Sequence, residues 1–316
     1  MSSISASAHY KSMLRAWRIT HRLPIQNRGL RFMSTSRSEP DAVVTVDWLA
    51  KNLNRTKTLD GSWNLNDPRD FKQNFINQRI PGAAFWDIDH IADTSVDLPH
   101  MLPSQELFEK SVRHLGISND DHIVVYDQTG SYNASARVWW TFKVFGHDNI
   151  SVLDGGLQKW VAHKNETQSG PWQPPPPSNF SAKFQPHLLV DEKQIYSAIS
   201  DHTVIIDARP APRFHGEVDE PRPNLKRGHI PTSKNAPGPS LIRKEKDTDG
   251  FHSFKTPAEL KKIFEDLNLI STGVVASTLS LALHLAGNRN YCVYDGSWTE
   301  WGAKDKENPT ETSNDK

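Results

Sequence analysis

The chain has 316 residues, a formal net charge of zero and a composition of 36% hydrophobic and 23% charged residues. This length predicts two domains, since a single domain usually holds about 100–200 residues. The neutral charge gives no sign of a nucleic-acid or membrane partner, and no stretch reaches the roughly 18 apolar residues of a membrane span. The one cysteine, Cys292, excludes an intrachain disulfide framework and a CxxC metal site.

The first 38 residues carry six arginines and many serines, and the first acidic residue is Glu39. An Arg-rich, Ser-rich segment without acidic residues is typical of a mitochondrial transit peptide. We therefore expect residues 1–38 to be a disordered targeting segment and the protein to reside in the mitochondrial matrix. The alternative is a basic tail that carries no address. A second start at Met33 would remove most of the segment and give a cytoplasmic form.

The two halves of the remaining chain repeat one order of motifs. The first half contains RIPGAAFWDI (79–88), LPSQELFEKSVRHLGI (102–117), HIVVYD (122–127), ARVWWTFKVFGH (136–147) and SVLDGGLQKW (151–160). The second half contains VIIDARP (204–210), GHIPTSKNAPG (228–238), TPAELKKIF (256–264), STGVVASTLSLALHLAG (271–287) and CVYDGSWTEW (292–301). Repetition over half the chain indicates two copies of one structural unit.

Short β-branched runs alternate with amphipathic helical patterns in both halves. This alternation predicts an α/β fold made of two tandem domains, each a parallel sheet flanked by helices. We expect the first domain at 41–163, a Pro-rich linker at 164–182, the second domain at 183–303 and a polar, disordered tail at 304–316.

The motifs GHIP, VLDGG and YDGSWTEW, in tandem and in this order, resemble the two-domain rhodanese family over about residues 41–303. FWDID, PHMLPS, ARVWW and EPR are similar to its 3-mercaptopyruvate sulfurtransferase branch. The resemblance implies tandem rhodanese-like domains that move sulfane sulfur from 3-mercaptopyruvate or thiosulfate to a thiol or cyanide. It implies no cofactor and no metal. The implied partners are a small-molecule sulfur donor and a thiol acceptor such as thioredoxin or another thiol.

The family's chemistry depends on a cysteine in the loop between a central strand and a helix. Backbone N–H groups and the helix dipole stabilise its thiolate, which takes sulfur from the donor and becomes a persulfide. In the first domain Asp127 stands at this place, so we expect that domain to be inactive. In the second domain the Cys-Gly of the family loop is absent, while the loop remnant Ser271-Thr272-Gly273-Val274 persists. Cys292 lies in an apolar strand pattern and is expected to be a buried structural residue.

The second repeat is also short. Leu115 and Leu153 are 38 positions apart, whereas the equivalent Leu267 and Tyr294 are 27 apart. The roughly eleven missing residues fall on the strand equivalent to HIVVYD and on the start of the loop. Because a central strand buries several apolar side chains, worth about 1.5–3 kcal/mol each, we favour a truncated or spliced, inactive form of the enzyme. The alternatives are a non-catalytic rhodanese-domain scaffold in sulfur relay, and a replacement strand drawn from residues 267–270.

The resemblance also implies substrate-binding residues around the vacant centre. Arg213 and Arg222 are similar to two arginines that hold the carboxylate and carbonyl of mercaptopyruvate, and guanidinium forks suit a planar carboxylate. The alternative is surface ion pairing with the nearby acids Glu217, Asp219 or Glu220. With a neutral loop, 3-mercaptopyruvate is the better donor, because doubly charged thiosulfate favours loop cations.

A proton relay is implied by the same resemblance. Asp89 in FWDID would orient His100 in PHMLP, and the imidazole would pass a proton through a loop hydroxyl. That hydroxyl would belong to Ser271 or Thr272, and the shortened loop leaves the choice open.

Mitochondrial targeting is testable with the natural protein. We expect immunoblots of matrix and cytosol fractions to show a shortened form in the matrix, because a transit peptide is removed after import. A full-length, uncut species found in the cytosol alone would contradict the targeting prediction.

Overall fold

The computed structural model describes residues 41–65, 69–244, 251–269 and 273–313. The predicted transit peptide, residues 1–38, lies outside these segments, as do Ser271 and Thr272. The described residues form two α/β domains, each built on a five-stranded parallel sheet, which confirms the predicted fold class. In these segments, no helix has both the length and the apolar character that crossing a membrane requires.

The sheet of the first domain has its longest buried strand at the centre. Its strands are β1 (Val43–Val44), β2 (Thr56–Asp60), β3 (Ala84–Phe85), β4 (His122–Tyr126) and β5 (Ile150–Leu153), in the order β1-β5-β4-β2-β3. Its helices are α1 (Val46–Asn52), α2 (Phe71–Asn77), α3 (Gln105–His114), α4 (Asn133–Val144) and α5 (Gly156–Ala162). Residues 123–126 of β4 are fully buried, as expected for a strand covered by helices on both faces.

The second domain repeats this topology. Its sheet strands are β6 (Leu189–Val190), β7 (Val204–Asp207), β8 (Lys234–Asn235), β11 (Gly273–Val275) and β12 (Tyr291–Tyr294), in the order β6-β12-β11-β7-β8. A separate antiparallel pair is formed by β9 (Ile242–Lys244) and β10 (His252–Phe254). The helices are α6 (Glu192–Ser200), α7 (Ala211–Phe214), α8 (Pro257–Asp266), α9 (Ser277–Leu285) and α10 (Ser297–Trp301).

The prediction that the second domain lacks its central strand is wrong. Strand β11 occupies the position of β4 with three residues in place of five, and Val274 lies opposite both Cys292 and Ile205. The physical reason is the backbone of β7 and β12, whose buried N–H and C=O groups need partners on their facing edges. Hydrogen bonding along a strand does not depend on side-chain identity, so the next available residues fill the gap.

The residues that fill the gap are the loop remnant. Gly273 and Val274, predicted to continue the catalytic loop, are strand residues instead. The proposed replacement at 267–270 is not the strand either, because Leu267 caps α8 and Leu269 packs in the core, while Ile270 lies outside the described residues. A Cβ atom at position 273 would lie 2.2 Å from Leu269 Cδ1 and 3.1 Å from Val204 O, so glycine allows this close approach.

The Pro-rich linker packs along the first domain. Phe180 is fully buried, with its ring 5.7 Å from that of Phe108 and 6.4 Å from that of Phe142. Arg79 donates a 2.7 Å hydrogen bond to the carbonyl of Gly170. The linker therefore extends the core of the first domain as it leads to the second.

Helices α4 and α9 pack against each other at the domain interface, and two aspartates bind across it. Asp295, after β12, pairs with Arg137 of α4 at 2.6 Å and accepts a 2.6 Å hydrogen bond from the Leu102 amide. Asp154, after β5, accepts a 2.9 Å hydrogen bond from Ser253 of the second domain. The two aspartates come from the equivalent LDGG and YDGS motifs, so the repeats hold each other reciprocally.

The tail predicted to be disordered packs against the second domain over residues 304–313. Asn308 is buried and bonds to Tyr196, Glu192 and Trp301, at 2.6, 2.8 and 3.1 Å. Glu311 exchanges two backbone hydrogen bonds with His229. A polar composition did not prevent order, because these polar groups find partners far away in the sequence.

We expect Asn308→Ala to lower the free energy of unfolding by about 1–3 kcal/mol, because it removes three hydrogen bonds and leaves the buried carbonyl of Trp301 without this partner. Urea denaturation of the purified protein measures this change. Glu307→Ala is the matched control, since Glu307 is exposed, and it should stay within about 0.5 kcal/mol of wild type. Equal stability of the two variants would contradict the packing of the tail.

Candidate active site

A cavity of about 530 Å³ lies between the domains, at the carboxyl ends of β7 and β12. The first domain lines it with Trp63, His100 and Arg137, and the second with Arg209, Arg213, Glu220, Arg222 and Trp298. Ligands of open parallel sheets bind at this end of the strands. The cavity also has the size of a small-molecule site, roughly 300–1,000 Å³.

Asp89 and His100 meet at the rim of this cavity. His100 Nε2 lies 2.8 Å from Asp89 Oδ1, and the imidazole packs edge-on against Trp63 at 4.3 Å. His100 has a left-handed backbone (φ 56°), and its carbonyl accepts a 2.7 Å hydrogen bond from Arg137. Burial lowers the pKa of His100, and the Asp89 carboxylate partly opposes this effect. The pair is therefore suited to hold a neutral imidazole in a fixed orientation.

Arg222 reaches from the second domain toward this pair. Burial lowers the pKa of Arg222 while the charge of Asp89 raises it, and Arg222 in turn lowers the pKa of His100. Arg222 makes no hydrogen bond or ion pair with any residue in the described part of the chain. The N–H groups of its guanidinium are therefore not bonded to any protein group in that part of the chain.

Arg213 lines the same cavity in a different state. Its Nε donates a 3.0 Å hydrogen bond to Glu220, whose other oxygen accepts a 2.7 Å hydrogen bond from Arg209. The ion-pair alternative from the sequence therefore applies to Arg213, with Glu220 as the partner. Of the other two acids considered, Asp219 pairs with Arg227 on the surface at 2.8 Å.

The connection from central strand to helix differs between the domains. In the first domain six residues, 127–132, join β4 to α4, whereas in the second Ala276 alone joins β11 to α9. Ala276 offers no side-chain cap to the first turn of α9. One residue cannot form a loop that encloses an anion, so the described part of the second domain has no counterpart to the six-residue loop.

The loop of the first domain is occupied by its own carboxylate. Asp127 accepts hydrogen bonds from the amides of Thr129, Ser131 and Tyr132 at 3.0–3.1 Å, and from the Ser135 hydroxyl at 3.0 Å. These N–H groups point into the loop as they would toward a bound anion. The predicted inactivity of this domain therefore has a further physical basis, because the side chain already fills the anion site.

Cys292 lies inside the second sheet, away from the cavity. Its side chain packs among apolar residues of β7, α6 and β11, and its Sγ is 3.6 Å from the carbonyl of Gly273. Burial raises the pKa of the Cys292 thiol to about 12. At neutral pH this thiol stays protonated and is a poor nucleophile.

Two other features complete the surroundings of the site. His229 of GHIP stacks on Phe214 at 3.8 Å and binds the Phe214 carbonyl at 2.8 Å, so it fixes a turn. Within the described segments, no group of three or more His, Cys, Asp or Glu side chains is placed to hold a metal ion.

Comparisons with known proteins agree over both domains. The family model "Rhodanese-like domain" matches residues 45–163 and 191–304. The chain belongs to the rhodanese family of sulfurtransferases. It is 39% identical to thiosulfate/3-mercaptopyruvate sulfurtransferase 1, mitochondrial, of Arabidopsis thaliana, over 95% of this chain and 86% of the relative. It is 38% identical to the 3-mercaptopyruvate sulfurtransferase of Escherichia coli K12, over 83% and 95%.

A solved rhodanese structure has the same fold. The crystal structure of SseA from Escherichia coli, described as a 3-mercaptopyruvate sulfotransferase, superposes with a TM-score of 0.72 at 34% identity. The match covers 82% of this chain and 99% of SseA. The sequence resemblance to this sulfurtransferase family is thereby confirmed.

Sequence reasoning missed two arginines that line this cavity. Arg209 donates hydrogen bonds to both carboxylate oxygens of Asp207 at 2.6–3.1 Å and lies over the Trp298 ring at 4.3 Å. Arg137 links the domains from within ARVWW. A signal for Arg209 was present, because a charged residue just after a central parallel strand lies at the ligand-binding edge of the sheet.

The Asp89–His100 contact can be tested by titration. We expect Asp89→Asn to lower the pKa of His100 further, because the carboxylate favours the imidazolium and burial opposes it. NMR titration of the His100 ring protons measures the change. Asp97→Asn is the control, since Asp97 is exposed. An unchanged His100 pKa in Asp89→Asn would show that the pair does not form in solution.

Proposed function

We propose that this chain binds a small 2-oxo acid of the 3-mercaptopyruvate type in the cavity between its domains but does not transfer sulfur through a persulfide of its own. The observation that carries this proposal is the position of Cys292, the one thiol of the chain. It lies in the sheet core with a pKa of about 12. The single-residue connection at Ala276 supports the same conclusion, since no loop there could present a thiolate.

The binding part of the proposal rests on Arg222. A guanidinium that makes no ion pair with a protein carboxylate in the described part of the chain, inside a cavity of this size, suits a carboxylate ligand. Arg213 would contact the same ligand through the guanidinium N–H groups that do not bond to Glu220. Because relatives are named for 3-mercaptopyruvate and for thiosulfate, we propose a small sulfur donor as the class of ligand.

The relay part of the proposal concerns Asp89 and His100. Their 2.8 Å contact would hold the imidazole toward a bound acid. The loop hydroxyls of Ser271 and Thr272, proposed to complete the relay, lie outside the described residues. Without a nucleophile, the proposed role of the pair is to orient and hydrogen-bond the ligand.

A second candidate function is a non-catalytic scaffold in sulfur relay that docks thiol partners such as thioredoxin. The complete second sheet favours it over a damaged enzyme, because the deletion leaves a buried five-stranded core intact. Sequencing transcripts across the codons for residues 269–272 separates the two origins. A message with about eleven more residues and Cys-Gly would support a spliced or truncated form, and an unbroken message would support the scaffold.

The proposed location is the mitochondrial matrix. The composition of residues 1–38 supports it, and a relative 39% identical is named as mitochondrial. The alternative start at Met33 would add a cytoplasmic form.

The purified protein should bind pyruvate and yet show no transfer of sulfur from 3-mercaptopyruvate to dithiothreitol. Loss of a covalent nucleophile lowers the rate by a factor on the order of 10⁶. Calorimetry measures pyruvate binding, and the release of sulfide measures turnover. Arg222→Gln should weaken pyruvate binding by at least about tenfold, because it removes a charge-assisted contact.

Cys292→Ala is the control for the chemistry and should leave the background rate of sulfide release unchanged. Turnover that disappears in Cys292→Ala would contradict the proposal that this thiol takes no part. Binding that is unaffected by Arg222→Gln would contradict the proposed ligand site.

A further inference from the structure

Four charged side chains form an alternating row along the second-domain wall of the cavity. Asp207 pairs with Arg209, Arg209 with Glu220, and Glu220 with Arg213. Each neighbour carries the opposite charge, so the row is neutral as a whole. It ends at Arg213, one of the two arginines proposed to hold the ligand.

Glu220 is the central member of this row. Its side chain is only 2% exposed, and each of its two oxygens accepts a hydrogen bond from a different arginine. Each oxygen of this carboxylate therefore has an arginine partner, and removing one member of such a buried pair leaves an uncompensated charge. Glu220 therefore occupies Arg213 in the manner of a bound carboxylate.

The pairing leaves little free positive charge in the cavity. Among the arginines that line it in the described part of the chain, Arg209 and Arg213 pair with Glu220, and Arg137 pairs with Asp295. Only Arg222 keeps a guanidinium without a hydrogen-bonded or ion-paired carboxylate in those segments, although the charge of Asp89 acts on it. A single unpaired guanidinium suits a ligand with a single negative charge.

We infer that Glu220 is a specificity-determining residue that makes the cavity select monoanionic acids over dianions. This inference rests on the proposed binding of a small acid in the cavity. A dianion would bring a second negative charge beside the Glu220 carboxylate, where no free cation balances it. Glu220 thus disfavours a dianion in two ways: its carboxylate repels the second negative charge, and its ion pair with Arg213 neutralises the charge of that arginine.

Neutralising Glu220 should reverse this preference. Glu220→Gln keeps the size of the side chain and one acceptor oxygen but releases the charge of Arg213. A dianion has one more negative charge than a monoanion, so it gains more attraction to the released charge of Arg213. At a separation of about 6 Å and an effective dielectric constant of about 40, that difference corresponds to about a tenfold change in relative affinity.

The experiment compares pyruvate, a monoanion, with thiosulfate, a dianion, by calorimetric titration at one fixed ionic strength. Wild type should bind pyruvate more tightly. The ratio of thiosulfate to pyruvate affinity should rise about tenfold in Glu220→Gln. Glu220→Asp keeps the charge and should stay within about twofold of the wild-type ratio. Glu217→Gln removes an exposed carboxylate from the same segment and should leave the ratio unchanged.

The outcomes separate this inference from the function on which it rests. If wild type binds neither anion, the proposed ligand site fails and this inference fails with it. If pyruvate binds but folded Glu220→Gln keeps the wild-type ratio, only the role of Glu220 is overturned. Thermal unfolding checks that the variant is folded. If it is not, the wild-type ratio decides, because tighter binding of thiosulfate than of pyruvate would overturn the inference.

Discussion

The ion pair between Arg137 and Asp295 is the contact on which the site depends. Its two atoms are 2.6 Å apart, and the side chains are 17% and 2% exposed. Arg137 also holds the carbonyl of His100, and Asp295 also accepts from the amide of Leu102. Removal of one member of a buried pair costs about 3–5 kcal/mol, so this contact strengthens the association of the two domains. The cavity has its shape because this pair fixes one domain against the other.

The repeat explains why the interface is polar at its edges and apolar in its centre. Asp154 and Asp295 follow equivalent strands, and each binds groups of the opposite domain. Between them α4 and α9 pack directly, with the ring of Trp139 5.1 Å from that of His284. The aspartate that follows the equivalent strand in each domain thus forms a contact between the domains. The second anchor adds a Tyr132 hydroxyl bond of 2.6 Å to the carbonyl of His252.

The fold follows from local sequence patterns and could be predicted. Features that depend on contacts between distant segments could not. Alternating strand and helix signals sufficed for the fold. The family resemblance implied that Asp89 lies beside His100, and the two side chains are 2.8 Å apart. The filled central strand was not predictable, because the need came from the unpaired edges of neighbouring strands rather than from residues 273–275 themselves. The burial of Asn308 was likewise missed, because the tail has a polar composition and the partner Glu192 is 116 positions away in the sequence. Arg213 pairs with Glu220 and Arg222 does not pair with a carboxylate, and the spacing of the two arginines in the sequence could not predict this difference.

Gly273 has a packing role in the second sheet. In a loop, a glycine serves through backbone freedom, whereas here it serves as a spacer between Leu269 and the carbonyl of Val204. The central strand is only three residues long, and its Gly273 and Val274 pair with strands on both sides. A side chain at position 273 would therefore have to displace Leu269 or press on the carbonyl of Val204. A larger side chain at position 273 would push the core residue Leu269 away from the sheet. The packing beside the central strand thus depends on a residue that has no side chain of its own.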